Sequence, residues 1–212
     1  FEFTIFTTTK KLTTMKGTKN VALIAIGALV LMLGVWGCNG YNGLKTADQS
    51  VKKVWSNVET NYQRRADLYS SVIKTVEASA NFEKSTLTAV VEARAKATSI
   101  NVDINDPESL KAYQDAQANL QGSFSRLIAS FEAYPDLKTT KAFQDFQVQI
   151  EGTENRINVA RQDYNKAVET FNLKVVRFPN NILAGMFGFK EKAYYKADEG
   201  TDKAPDIKFD IK

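Results

Sequence analysis

LKTADQSVKKVWSNVETNYQRRADLYSSVIKTVEAS, residues Leu44–Ser79, holds the pattern on which the fold turns. Val51, Trp55, Val58, Tyr62, Arg65, Tyr69, Val72 and Val76 recur in alternating steps of four and three. That spacing keeps side chains on one stripe of an α-helix, a heptad seam as in coiled coils, with one arginine inside it. A helix with one apolar stripe must bury it against other elements.

Downstream, three more segments offer such stripes. Residues Phe82–Thr98 carry Leu87, Val90, Arg94 and Ala97 on one face, after a break at Asn81. Ala93, Ala95 and Ala97 favour helix over strand there. A short polar loop, Ile100–Asn105, leads to Asp106, which caps a third helix with Pro107 in its first turn and Glu108 at the positive end of the helix dipole. Leu110, Tyr113, Gln117, Leu120, Phe124, Leu127, Phe131 and Tyr134 form its seam, and Pro135-Asp136 turns the chain. A fourth helix over Thr139–Arg177 places Phe143, Phe146, Ile150, Thr153, Ile157, Ala160, Tyr164, Ala167, Phe171 and Val175 on its seam, with Gly152 inside it. Four amphipathic helices with short connections predict an all-α, antiparallel four-helix bundle whose first and fourth helices are long and project beyond the second.

After Pro179 regularity fades. Ile182, Leu183, Met186, Phe187 and Phe189 form an apolar cluster with Gly185 and Gly188. It is expected to close one end of the bundle; Met186, Phe187 and Phe189 are the alternative contacts to a membrane or a partner. The tail, residues 191–212, is mostly polar and is expected to lie extended along the bundle, residues 44–190.

Upstream of the seam, Val21–Cys38 reads VALIAIGALVLMLGVWGC and holds no charge. As a helix, its 18 residues would cover ~27 Å, close to a bilayer's hydrocarbon core. Two readings fit: a retained membrane-spanning anchor, or the apolar core of a signal peptide cut before Cys38. In the second, Val35-Trp36-Gly37-Cys38 supplies the small residue before a lipid-bearing cysteine, although Trp36 is bulky for its place. Met15, Lys16 and Lys19 precede the run in the order of a translated leader, so residues 15–38 are read as signal or anchor and residues 1–14 as upstream sequence. Lys16 and Lys19 before the run, with no lysine after it until Lys45, favour a cytoplasmic N-terminus and a bundle on the other side.

Composition removes several function classes. Of 28 basic and 24 acidic residues, four lysines and one glutamate fall in residues 1–38, leaving 24 against 23. The basic balance therefore belongs to the leader and argues for no nucleic-acid partner. The chain has no histidine, and Cys38 is its single cysteine. This excludes a zinc site of Cys or His ligands and any Ser-His or Cys-His catalytic pair.

SNVETNYQRRADL at Ser56–Leu68, TLTAVVEARAKA at Thr86–Ala97, EGTENRINVARQDYN at Glu151–Asn165 and FPNNILAGMFGF at Phe178–Phe189 resemble motifs of the LemA family of bacterial envelope proteins. Ala204-Pro205 and Phe209 also match, so the resemblance runs from Tyr41 to Phe209. It implies an N-terminal anchor or lipoprotein leader, a LemA-like four-helix bundle and no established catalytic activity. One departure stands out: where the family has Ile-Pro-Asn after RRADL, this chain has Tyr69-Ser70-Ser71, which predicts a first helix without a proline kink.

The reading that follows is a membrane-anchored, non-catalytic scaffold or adaptor of the bacterial envelope. It needs no cofactor, and its partners are the membrane and another envelope or membrane protein. Two alternatives are a binder of lipid or small ligand within the bundle, and an enzyme using carboxylates such as Glu151, Glu154 and Asp163 around a metal. Arg65, Arg94, Gln117 and Thr153 occupy seam positions, with Glu154 adjoining. Arg65 lies 16 residues before Asn81 and Arg94 lies 13 after it; Gln117 and Thr153 lie 18 residues either side of Pro135. Within each hairpin the two stand at similar heights, which predicts a polar layer. A buried arginine needs a carboxylate or several carbonyls, with Glu154 or Glu151 as the first choice and Glu92 or Asp67 less central; the alternative is that the arginines bend outward along their apolar stems and lie on the surface.

Overall fold

The computed structural model describes residues 14–77, 84–134 and 140–196. The expected break at Asn81, the turn at Pro135-Asp136, the segment before Thr14 and the tail beyond Lys196 lie outside them. Among the described residues five α-helices follow one another: α1 (Thr14–Glu77), α2 (Lys84–Ser99), α3 (Pro107–Ser130), α4 (Lys141–Val176) and α5 (Asn180–Phe187). A single 3₁₀ turn, Phe131–Ala133, extends α3, and there is no strand among the described residues. The chain is an all-α helical bundle.

The seams account for the packing. Every seam residue of α1 from Val51 to Val76 is buried, Arg65 included. α1 runs antiparallel to α4: Lys174 meets the Gly43 carbonyl, Trp55 packs on Tyr164, and Arg65 meets Glu154. α3 lies across the two, with Tyr113 against Trp55 and Tyr62, Phe124 stacked on Tyr69 at 3.6 Å between centroids, and Phe131 edge-on to Phe143. α2 covers only the far part of α1, so α1 and α4 extend beyond it. The caps are those the sequence specifies at α3: Asp106 accepts from the Glu108 amide at 3.0 Å, with Pro107 in the first turn. Thr140 caps α4 in the same way through the Phe143 amide.

Four features depart from the sequence reading. α1 does not begin at Leu44 but runs unbroken for 64 residues from the apolar segment into the bundle. Gly40 and Gly43 each weaken a helix by only about 1 kcal/mol, and the turns on both sides are independently helical. A Cβ at Gly40 would crowd Leu183 Cδ1 of α5, so a larger residue there requires that side chain to shift. Second, the residues after Pro179 form α5, capped by Gly188 in the left-handed region at φ 74°. Third, Val168 rather than Ala167 fills the core between Tyr164 and Phe171, because a straight 3.6-residue helix drifts off a 3.5-residue seam. Fourth, the 100–105 loop is less polar than it reads, with Ile104 buried and Ile100 and Val102 packed against the core.

Candidate functional site

Arg65 divides the core. One cluster, built on Val51, Trp55, Val58 and Tyr62, lies toward the apolar end of α1; the other, on Tyr69, Val72, Leu120 and Phe124, lies distal to it. Between them the Arg65 side chain is fully buried, with its guanidinium 4.7 Å from the Tyr62 ring centre and 5.9 Å from that of Tyr69. Its Nη2 donates to Gln117 Oε1 at 2.8 Å and to the Gln117 carbonyl at 3.1 Å; its Nη1 meets Glu154 Oε1 at 3.3 Å. Its Nε has no partner. Gln117 is held in turn by a long bond to the Ala97 carbonyl. Burial pushes the Tyr69 hydroxyl up to about 12.

The other seam polar residues stand apart from this centre. Thr153 is buried, but its hydroxyl bonds to the Gln149 carbonyl of its own helix. Arg94 is half-buried: its Nε donates to the Ala66 carbonyl at 3.2 Å, and Nη2 lies 3.8 Å from Asp67. Glu151 and Glu92 are exposed and pair with neither arginine. The layer is therefore one arginine with one glutamine and one half-exposed glutamate. Among the described residues, no group of three or more His, Cys, Asp or Glu is arranged to hold a metal.

A second buried polar set, near the base of the bundle, was not singled out in the sequence. Lys192, in the extended stretch after α5, is buried with its ammonium 2.9 Å from Asp48 Oδ1 and 4.9 Å above the Phe171 ring. It also donates to Asn105 Oδ1 at 2.5 Å. Burial pushes the Asp48 carboxyl up, but the hydrogen bonds and charges of Lys192 and Lys52 outweigh it, leaving the group below its ordinary value. Two asparagines of α4 hold the stretch by its backbone: Asn172 bonds both the amide and carbonyl of Lys192, and Asn165 those of Tyr195. The Tyr195 hydroxyl meets that of Tyr62, which also accepts from Arg161. One signal was available. Continuing the α1 seam backwards from Val51 by three and then four gives Asp48 and Leu44, so Asp48 is a seam residue. Lys192 carries no such signal, because its surroundings come from α1, α4 and the 100–105 loop.

Two surfaces complete the description. A solvent-open groove of about 610 Å³ runs beside α1, lined by Ser56, Glu59, Tyr62, Arg64, Asp67 and Gln117 among others. At the base, Leu183 and Ala184 of α5 are buried, while Met186 and Phe187 are exposed and Phe189 turns inward against Tyr41 and Phe171. Cys38 lies exposed on α1, two residues before Gly40. The apolar segment of α1 is long and apolar enough to cross a membrane, and its central residues are packed against nothing.

The LemA family pattern matches residues 54–209. Magnetosome protein MamQ 2 of Paramagnetospirillum magneticum is 25% identical over 181 residues, covering 76% of this chain and 66% of its own. Magnetosome protein MamQ of Magnetospirillum gryphiswaldense is 24% identical with the same coverage. Protein LemA of Metamycoplasma hominis is 27% identical over 158 residues, covering 74% of this chain and 69% of its own. The chain thus spans just under two thirds of the length of these magnetosome relatives.

Proposed function

This chain belongs to the LemA family, and on that premise we propose that it is a membrane-anchored, non-catalytic scaffold or adaptor of the bacterial envelope. The observation that carries the proposal is the continuity of α1. One helix passes from a membrane-length apolar segment into the centre of the bundle without a linker. The 39 residues from Asn39 to Glu77 would rise ~58 Å from the membrane surface. A bundle held upright in this way presents the outer faces of long helices to proteins beside it. Lys16 and Lys19 ahead of the apolar run support an orientation with the bundle on the non-cytoplasmic side. The anchor is α1 itself, retained; should the chain be cut before Cys38, a lipid on that cysteine would hold the bundle at the same height.

Photocrosslinking from exposed positions of α1, α2 and α4 in intact cells, followed by mass spectrometry, tests this reading. A recurrent envelope or membrane protein is the expected product. Diffuse crosslinks together with hydrolytic activity of the purified full chain would overturn it.

A further inference from the structure

Among the described residues, ten large apolar side chains outside the apolar run are exposed, and seven of them fall between Leu173 and Tyr194. The strongest concentration is on α5 and the residue pair before it: Phe178 is 81% exposed, Met186 73%, Phe187 54% and Ile182 51%. Elsewhere the exposed apolar residues, Val91, Val148 and Val159, stand singly. Scattered apolar residues are ordinary on a protein surface, but a contiguous patch marks something that covers it.

The position of α5 along α1 identifies the cover. Leu183 sits against Gly40, and the Phe187 ring lies 4.8 Å from that of Tyr41. Gly40 and Tyr41 follow the last residue of the apolar run, Cys38, by two and three residues, or about 3–5 Å of helix. The headgroup layer outside a bilayer's hydrocarbon core is roughly 5–8 Å thick on each side. α5 therefore stands at headgroup level whenever the apolar run is in the membrane. Its composition fits that place: one face, Leu183 and Ala184, is buried on the bundle, and Ile182 and Met186, four apart, share the outer face. Exposed Arg177 and Lys190 flank the helix in the chain. Apolar bulk with cationic ends is how a short helix lies in a membrane interface beside anionic headgroups.

We propose that α5, with Phe178, is a foot inserted in the headgroup layer of the leaflet from which α1 emerges, seating the bundle at a fixed height and tilt. The proposal rests on the membrane anchoring of α1. The foot is too short to bind a membrane alone. Tethered by α1, it needs no bulk affinity, because its local concentration at the surface is already high.

The test uses the full chain in vesicles of phosphatidylethanolamine and phosphatidylglycerol. In a Cys38→Ala background, single cysteines are introduced by Met186→Cys, Val30→Cys and Val148→Cys and labelled with an environment-sensitive fluorophore. Lipids brominated at shallow or deep acyl positions act as quenchers. The expected result is deep quenching at residue 30, shallow quenching with a blue shift at residue 186, and neither at residue 148, which lies near the distal end of α4. Quenching at residue 30 with residue 186 behaving like residue 148 overturns the foot alone. A blue shift at residue 186 without quenching also overturns it, since a protein would then be the cover. Loss of quenching at residue 30 brings down the anchoring, and the foot with it.

Discussion

Arg65 shows how one polar side chain is tolerated in a packed core. Its two terminal nitrogens are satisfied by Gln117 and Glu154, and two tyrosine rings flank its plane. The pair is unequal: the Arg65 side chain is fully buried while that of Glu154 keeps 27% exposure. Removing charge from Glu154 leaves a buried cation; removing Arg65 leaves a carboxylate that can turn to water but takes the donor from the buried Gln117 Oε1. Each change is thus expected to destabilise by roughly 1–3 kcal/mol, Glu154→Gln through the unpaired buried charge and Arg65→Met through the orphaned Gln117 acceptor. Denaturant unfolding of both variants and the double mutant would read this; additive effects near zero contradict it. Asp48 gives a pH signature. Its folded carboxyl lies below its ordinary value, so the Lys192 pair stabilises fully above the unfolded value, near pH ~4, and that contribution drains away as pH falls through the folded value. Melting temperature should therefore drop on acidification below pH ~4 more steeply in the native protein than in Asp48→Asn. Equal slopes would show that the pair carries no such contribution.

At the scale of elements, periodicity decided what could be read. The seams of α1, α3 and α4 extend over many turns, so their helices and buried faces are plain in the sequence. Arg65 and Gln117 are legible for the same reason, as polar letters on apolar stripes. Arg94 sits on a seam too, but its long stem carries the guanidinium out to Ala66 and Asp67 at the rim, the outward alternative open to a seam arginine. α5 has eight residues, too few for a pattern, and its helix depends on burying Leu183 and Ala184. Lys192 looks like a solvated tail residue until the fold brings Asp48 and Asn105 around it. The glycines of α1 and α4 look alike in sequence but differ in space. A Cβ at Gly152 meets nothing within 4 Å, so Gly152→Ala should stabilise by about 1 kcal/mol through helix propensity alone. At Gly40 the same substitution crowds the Leu183 side chain, so part of its propensity gain is offset as that side chain shifts. Thermal melts should show a smaller upward shift for Gly40→Ala than for Gly152→Ala; equal shifts would mean that Leu183 does not press on Gly40.

At the scale of the whole molecule, orientation rests on few charges. Lys10, Lys11, Lys16 and Lys19 precede the apolar run, and Lys45, Lys52 and Lys53 follow it. What distinguishes the sides is proximity. Lys19 lies two residues before Val21, while the first lysine beyond Cys38 is seven residues away. Lys52 is in addition paired with Asp48 at 3.3 Å once the bundle folds. Positive charge close to a span holds its side in the cytoplasm, because carrying it across is unfavourable. An impermeant maleimide should accordingly label Val148→Cys, in a Cys38→Ala background, in intact cells or spheroplasts without lysis. Labelling only after lysis would place the bundle in the cytoplasm. A bias this narrow should also be reversible. Lys16→Gln and Lys19→Gln combined with Asn39→Lys and Asn42→Lys moves the concentrated charge to the bundle side, and labelling in unlysed cells should fall. Unchanged labelling in that variant would mean that something other than these lysines fixes which way α1 enters the membrane.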